Sequence, residues 1–111
     1  MSEIAYYLRL LVQADKEAVI TPVTLSSDTP SKFSSELTSE QTRKGIAAYN
    51  NSDSGSGECY YGFTAVVAPG TGMPIPKGAM VNIPVADVDA IDLYFVGTSG
   101  EIGDLRVIEV A

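Results

Sequence analysis

The sequence predicts an all-β chain: a single small antiparallel β-sandwich or jelly-roll-like domain of about seven to eight strands, covering residues 1–111. Three observations point there. Short β-branched and aromatic runs recur at spacings of roughly 10 to 20 residues. Ten glycines and six prolines punctuate them. No segment sustains a 3.6-residue period long enough for a convincing helix. A chain of 111 residues suits one core, and neither an internal repeat nor a dividing linker interrupts it.

In Ala5 to Gln13, Tyr6, Leu8, Leu10 and Val12 alternate with Ala5, Tyr7, Arg9 and Gln13, with Leu11 the exception; Leu8, Leu11 and Val12 also suit a helical period, but the paired tyrosines and Val12 favour a strand. Asp15-Lys16 makes a polar turn, and Glu17 to Leu25 returns as a β-branched run. Pro22 within that run lacks a ladder donor and predicts an edge strand or a bend. Ser26 to Arg43 is polar with isolated Phe33 and Leu37, the longest connection of the domain. Its Thr38-Ser39-Glu40-Gln41 has capping-box form and predicts one short helical turn.

Ile46 to Tyr49 predicts a strand joined by the Asn50–Gly57 hairpin loop to a second strand, Glu58 to Ala65. In that second strand Cys59, Tyr61, Phe63 and Ala65 are expected to face the core. Val66 to Gly78 is too rich in proline and glycine for a helix, and Met73 and Ile75 are its expected anchors. Ala79 to Val85 points Val81, Ile83 and Val85 inward, with Pro84 at an edge or strand end. Ile91 to Val96 and Leu105 to Val110 complete the set, turned by Asp87–Ala90 and by Gly97-Thr98-Ser99-Gly100.

Composition excludes whole classes of chemistry. There is no histidine, so no Ser-His-Asp triad, Cys-His pair or imidazole metal ligand. One cysteine makes neither an internal disulfide nor a thiolate zinc site, and Cys59 is expected to be a buried small hydrophobe. Fourteen acidic against seven basic residues give a net charge of -7, with pI near 4.3. That balance disfavours nucleic acid. No basic leader or membrane-length apolar run occurs, so a soluble, unprocessed protein made in the cytoplasm is expected.

Carboxylates are the only abundant reactive groups. Asp87, Asp89 and Asp92 cluster in sequence but lack the spacing and glycine of an EF-hand, and the Asn51–Glu58 loop reads as a polar tip rather than an ion loop. A glycosidase would need a paired acid and base in a deep cleft, and the glycines form no phosphate-cradling motif. The expectation is therefore no enzyme activity, cofactor or metal. Tyr7, Tyr49, Tyr60 and Tyr94 are expected to point outward, which suits a protein interface or, as the alternative, a carbohydrate-binding module presenting Tyr49, Tyr60 and Tyr94.

The second half carries a further pattern: Asn50-Asn51-Ser52, Tyr60 or Tyr61 with Gly62, then Gly72-Met73-Pro74-Ile75-Pro76-Lys77-Gly78. Ile83, Leu93-Tyr94, Gly100 and Asp104-Leu105-Arg106-Val107 follow. Together they resemble the small capsid decoration proteins of tailed bacteriophages, called cement or staple proteins, including the staple proteins of epsilon15-like short-tailed phages. Residues 1–44 carry no matching pattern. The resemblance implies a virion protein on the outer capsid surface that clamps major capsid protein subunits, as a dimer or trimer at a symmetry axis. Contacts are then expected from Tyr6, Tyr7, Arg9, Phe33, Arg43, Tyr60, Met73, Pro74, Ile75 and Lys77. The net charge agrees with a place outside the shell, away from packaged nucleic acid.

Overall fold

The computed structural model describes residues 17–26, 28–37, 43, 45–52, 57–85 and 91–111. Eight strands form in them: β1 (Ala18–Leu25), β2 (Ser31–Lys32), β3 (Gly45–Asn50), β4 (Cys59–Gly62), β5 (Met73–Ile75), β6 (Met80–Asn82), β7 (Tyr94–Val96) and β8 (Gly103–Val110). They pair into two four-stranded antiparallel sheets, ordered β1-β8-β3-β6 and β2-β7-β4-β5. This is the strand order of a jelly roll, in which the chain changes sheet at nearly every connection. The strand expected at Ala5–Gln13, the capping-box turn at Thr38–Gln41 and the turn at Asp87–Ala90 lie outside the described residues.

Strand β1 is an edge strand among those described, and Pro22 explains why. It stands opposite Arg106 in the β1–β8 register, which runs from Ala18↔Val110 to Leu25↔Gly103. The Glu17 and Ala111 backbones exchange both hydrogen bonds, at 3.1 and 2.8 Å. By alternation Pro22 then falls at a non-bonded position, where its missing N–H leaves no ladder bond unmade. Strand β5 tolerates Pro74 in the same way, at the far edge of the other sheet opposite Tyr60.

Between the sheets lie Leu25, Ile46, Ala48, Cys59, Tyr61, Ile75, Ile83, Leu93, Phe95, Leu105 and Val107. These are the inward positions of period-two strands, and each buried Leu, Ile, Val or Phe contributes about 1.5–3 kcal/mol by leaving water. Phe33 packs edge-on against Phe95, with ring centroids 5.8 Å apart. Ala47, Ile108 and Val110 occupy the alternate positions on β3 and β8 and form a second buried cluster with Met80.

Two expectations are corrected here. Strands β3 and β4 are not a hairpin, because they lie in different sheets and their connection crosses from one to the other. The second strand of that pair ends at Gly62 rather than Ala65, so Phe63 and Ala65 leave the core face and are exposed. Among the described residues, β4 and β5 are the only consecutive strands paired within a sheet.

Candidate functional site

The β4–β5 unit gathers most of the described residues expected at an interface. Cys59 and Tyr61 point inward, so Tyr60 points outward, beside Pro74 on the neighbouring strand. The Tyr60 hydroxyl donates to Glu58 Oε2 at 3.1 Å, and that carboxylate holds the phenol above its ordinary range. A shallow concavity of about 280 Å³ runs beside it, lined by Glu58, Tyr60, Pro74, Pro76 and Lys77 over Cys59 and Ile75.

The connection between these strands folds back over the outer face of its own sheet. A Cβ at Gly62 would sit 2.5 Å from Val67 Cγ2, and one at Gly72 would sit 2.8 Å from Tyr60 Cβ and 3.0 Å from Val67 Cγ2. Only glycine at both positions lets Val67 settle against the sheet, where it is buried. Backbone bonds from Thr71 and Gly72 to the Ala68 carbonyl, at 2.9 and 2.7 Å, close the turn. Phe63, Val66 and Met73 are left projecting, with 41%, 83% and 57% of their surfaces exposed. Phe63 stacks edge-on against Tyr61 at 5.9 Å, whose phenol burial pushes up.

Met73 is among the contacts the sequence predicts, whereas Phe63 and Val66 are not, because period two places Phe63 inward. The signal that marks this loop is charge. No charged side chain stands between Glu58 and Lys77 in an otherwise acidic chain.

The other expected contacts scatter. Tyr6, Tyr7 and Arg9 lie outside the described residues. Ile75 is 1% exposed and belongs to the core, so it presents no side chain to a partner. Lys77 is exposed beside the concavity, in an isolated parallel bridge with Asn50. Phe33 is half-buried against Phe95 and supports the core more than a surface.

Arg43 is the largest departure from expectation, since it too is buried. Its Nη1 donates to Glu109 Oε2 at 2.9 Å, and the Glu109 side chain is fully enclosed. Ser35 Oγ donates to the same oxygen at 2.7 Å, and the Glu36 backbone N–H donates to Oε1 at 3.0 Å. Glu109 faces inward because it follows Leu105 and Val107 in the β8 alternation. The network ties the connection between β2 and β3 to the central strand of the opposite sheet.

Among the described residues, no reactive groups are brought together. Burial pushes the Cys59 thiol up to about 11, and its Sγ donates to the Gly57 carbonyl at 3.3 Å. Such a thiol is not a nucleophile at neutral pH. Among the described residues no three metal-ligating acidic or thiol groups converge, and Asp92 pairs instead with Lys32 at 3.3 Å. The three tyrosines of the carbohydrate alternative do not share a face. Tyr49 lies on the outside of the β1-β8-β3-β6 sheet, and Tyr60 and Tyr94 on the outside of the other.

No family model matches the sequence, and no curated protein matches it. Among solved structures, a similar chain comes from work described as "Bacillus endospore appendages form a novel family of disulfide-linked pili". The two are 18% identical, and the match covers 87% of this chain and 90% of that one with a TM-score of 0.41. What this chain is therefore rests on its own residues: an all-β sandwich whose described surface bears one projecting, charge-free apolar loop.

Proposed function

We propose that this chain is a non-enzymatic virion structural protein that decorates the outside of a tailed-phage capsid and stabilises it by clamping major capsid protein subunits. One observation carries the reading. Within the region that bears the resemblance, Tyr60, Met73 and Pro74 stand on the outward or exposed side of the β4–β5 pair, and the connection between these strands leaves Phe63 and Val66 exposed as well. Exposed apolar and aromatic groups of this kind mark protein-binding surfaces.

The chemistry of the rest of the chain supports the same reading. A clamp needs buried area repeated over symmetry-related sites and no catalytic groups. An acidic body is compatible with the outer surface of a shell and incompatible with packaged nucleic acid. Copies would associate at a symmetry axis of the shell, where the lattice supplies the binding energy that like-charged copies lack on their own.

The test is reconstitution. Purified protein is incubated with capsids that lack it, then co-sedimentation and resistance of the shell to heat are measured. Saturable binding with a raised disassembly temperature is expected. Absence of both refutes the proposal.

A further inference from the structure

We propose that the segment preceding β1, which lies outside the described residues, is a strap: it docks on the outer face of the β1-β8-β3-β6 sheet at its Val110 end, closing Tyr6, Leu8, Leu10 and Val12 onto Ala47, Ile108 and Val110. This strap is independent of the capsid reading. Leu105 and Val107 face the core, as do Ile46 and Ala48, so alternation turns Ile108, Val110 and Ala47 to the other side of the same sheet. There they form a cluster of their own, joined by Met80. An outer face open to water would leave them wet. Instead Ala47 and Val110 are 0% exposed and Ile108 is 3% exposed.

The strands themselves do not account for this burial, and Val110 is the clearest instance. Its partners across the ladder are Ala18 on β1 and Gly45 on β3. Gly45 has no side chain and Ala18 is itself exposed, so neither roofs a valine. Further chain therefore lies over this end of the face. It stops short of β1, because Ile20, opposite Ile108, keeps 51% of its surface in water. The face is enclosed within a single chain, so a second copy is not the cover.

Composition selects the occupant. Outside the described residues, positions 27, 38–42, 44 and 53–56 hold no apolar side chain. Positions 86–90 supply one valine between two aspartates, and a carboxylate pressed onto Val110 would lose its water without gaining a partner. Positions 1–16 bring Ile4, Tyr6, Leu8, Leu10, Leu11 and Val12. They also lead away from the right place. Glu17 exchanges both backbone hydrogen bonds with Ala111, the neighbour of Val110. Crossing the sheet from β1 to β6 is three strand spacings, about 14 Å, and at ~3.3 Å per residue about five residues span it. The strap closes this face to partners and, by the same alternation, leaves Tyr7 and Arg9 on its outer side.

Nuclear Overhauser contacts among the methyl groups of the parent chain test this directly. Contacts from Ile108 and Val110 to Leu8, Leu10 or Val12 are expected. Contacts to Val88 alone, or to no residue of 1–16, overturn the proposal. An equal mixture of isotope-labelled and unlabelled chain separates the copies, and finding the same contacts between labelled and unlabelled molecules names a second copy as the occupant and overturns it too. In thermal unfolding, Leu10→Asp should lower the melting midpoint by at least ~5 °C, whereas Tyr7→Asp should stay within about 3 °C of the parent. Equal shifts for the two variants overturn the placement of the segment. None of these measurements involves a capsid, so failure of the strap leaves the capsid reading standing, and failure of capsid binding leaves the strap.

Discussion

Replacing Arg43 by Met removes the guanidinium from a carboxylate that has no access to water. Glu109 would keep the Ser35 Oγ–H and Glu36 N–H donors at 2.7 and 3.0 Å but lose its counter-charge. Breaking a buried pair on one side costs about 3–5 kcal/mol, and the two surviving donors hold the loss near the lower end, about 3 kcal/mol. For a domain of this size that lowers the melting midpoint by roughly 10–20 °C. Removing both charges, in Arg43→Met with Glu109→Leu, abolishes the stranded carboxylate and leaves the Ser35 and Glu36 donors without it, a cost of about 2 kcal/mol. The double variant is therefore more stable than Arg43→Met alone. Guanidinium chloride unfolding followed by circular dichroism measures both, with an unchanged m-value as the check that two-state behaviour persists. A loss below about 1 kcal/mol for Arg43→Met, or a double variant losing the sum of the two single losses, refutes the assignment of this pair as a coupled clamp.

Three other outcomes follow from buried contacts. Gly103→Ala places a Cβ 2.5 Å from Cys59 Sγ and should cost about 1–3 kcal/mol by overpacking; adding Cys59→Ala should recover part of that in the same denaturant assay, and no recovery argues against the contact. The Cys59 thiol, raised by burial to about 11, is neutral when protonated, so its burial leaves stability intact below the unfolded pKa near 8.5–9 and subtracts from it as pH rises toward 11, by up to about 3 kcal/mol. Cys59→Ala should flatten that alkaline loss, and iodoacetamide should alkylate the native thiol at pH 8 far more slowly than the unfolded one. Asn50→Leu removes the amide that donates to the Gly57 and Ile75 carbonyls at 3.0 and 2.7 Å; Gly57 keeps Ser52 Oγ and Cys59 Sγ as donors, and a loss of about 1–3 kcal/mol in thermal unfolding is expected from the buried hydrogen bonds removed.

Local pattern made the strands legible, and long-range packing hid the rest. The β-branched run with Pro22 reads directly as an edge strand, because alternation and a missing donor are properties of the segment itself. Strand β2 does not read at all. Ser31 and Lys32 have no β preference and pair with Phe95 and Tyr94 because Phe33 docks on Phe95. Phe63 misled for a similar reason, since the return of Val67 onto Gly62 ends the strand one residue before it. The sheet to which each strand belongs was equally hidden, because the crossover after Asn50 looks in sequence like any polar hairpin loop. Arg43 was expected on the surface since an arginine is seldom buried without a partner. Its partner lies 66 positions away and is itself an acid in an apolar strand, a pairing that local pattern cannot reveal.

The buried polar groups divide the molecule in a way that bears on the proposed interface. In the β3–β8 register Gly45 pairs with Val110 and Asn50 with Leu105, so Glu109 and Asn50 stand at opposite ends of the sandwich. Each ties irregular chain to the core by side-chain hydrogen bonds: Glu109 holds Ser35, Glu36 and Arg43, and Asn50 holds Ser52, Gly57 and Ile75. The loop between β4 and β5 is instead tied within itself, by Thr71 Oγ1 accepting from Ala68 N at 3.1 Å and by Val67 packed against two glycines, and its own residues carry no charge. The two systems meet at Ile75, whose carbonyl accepts from Asn50 and whose strand carries Met73 and Pro74. Asn50 therefore holds β5 in place from the core side: its loss should loosen β5 and, on the proposed function, weaken capsid binding through the placement of Met73, whereas Val66→Asp leaves these buried bonds intact.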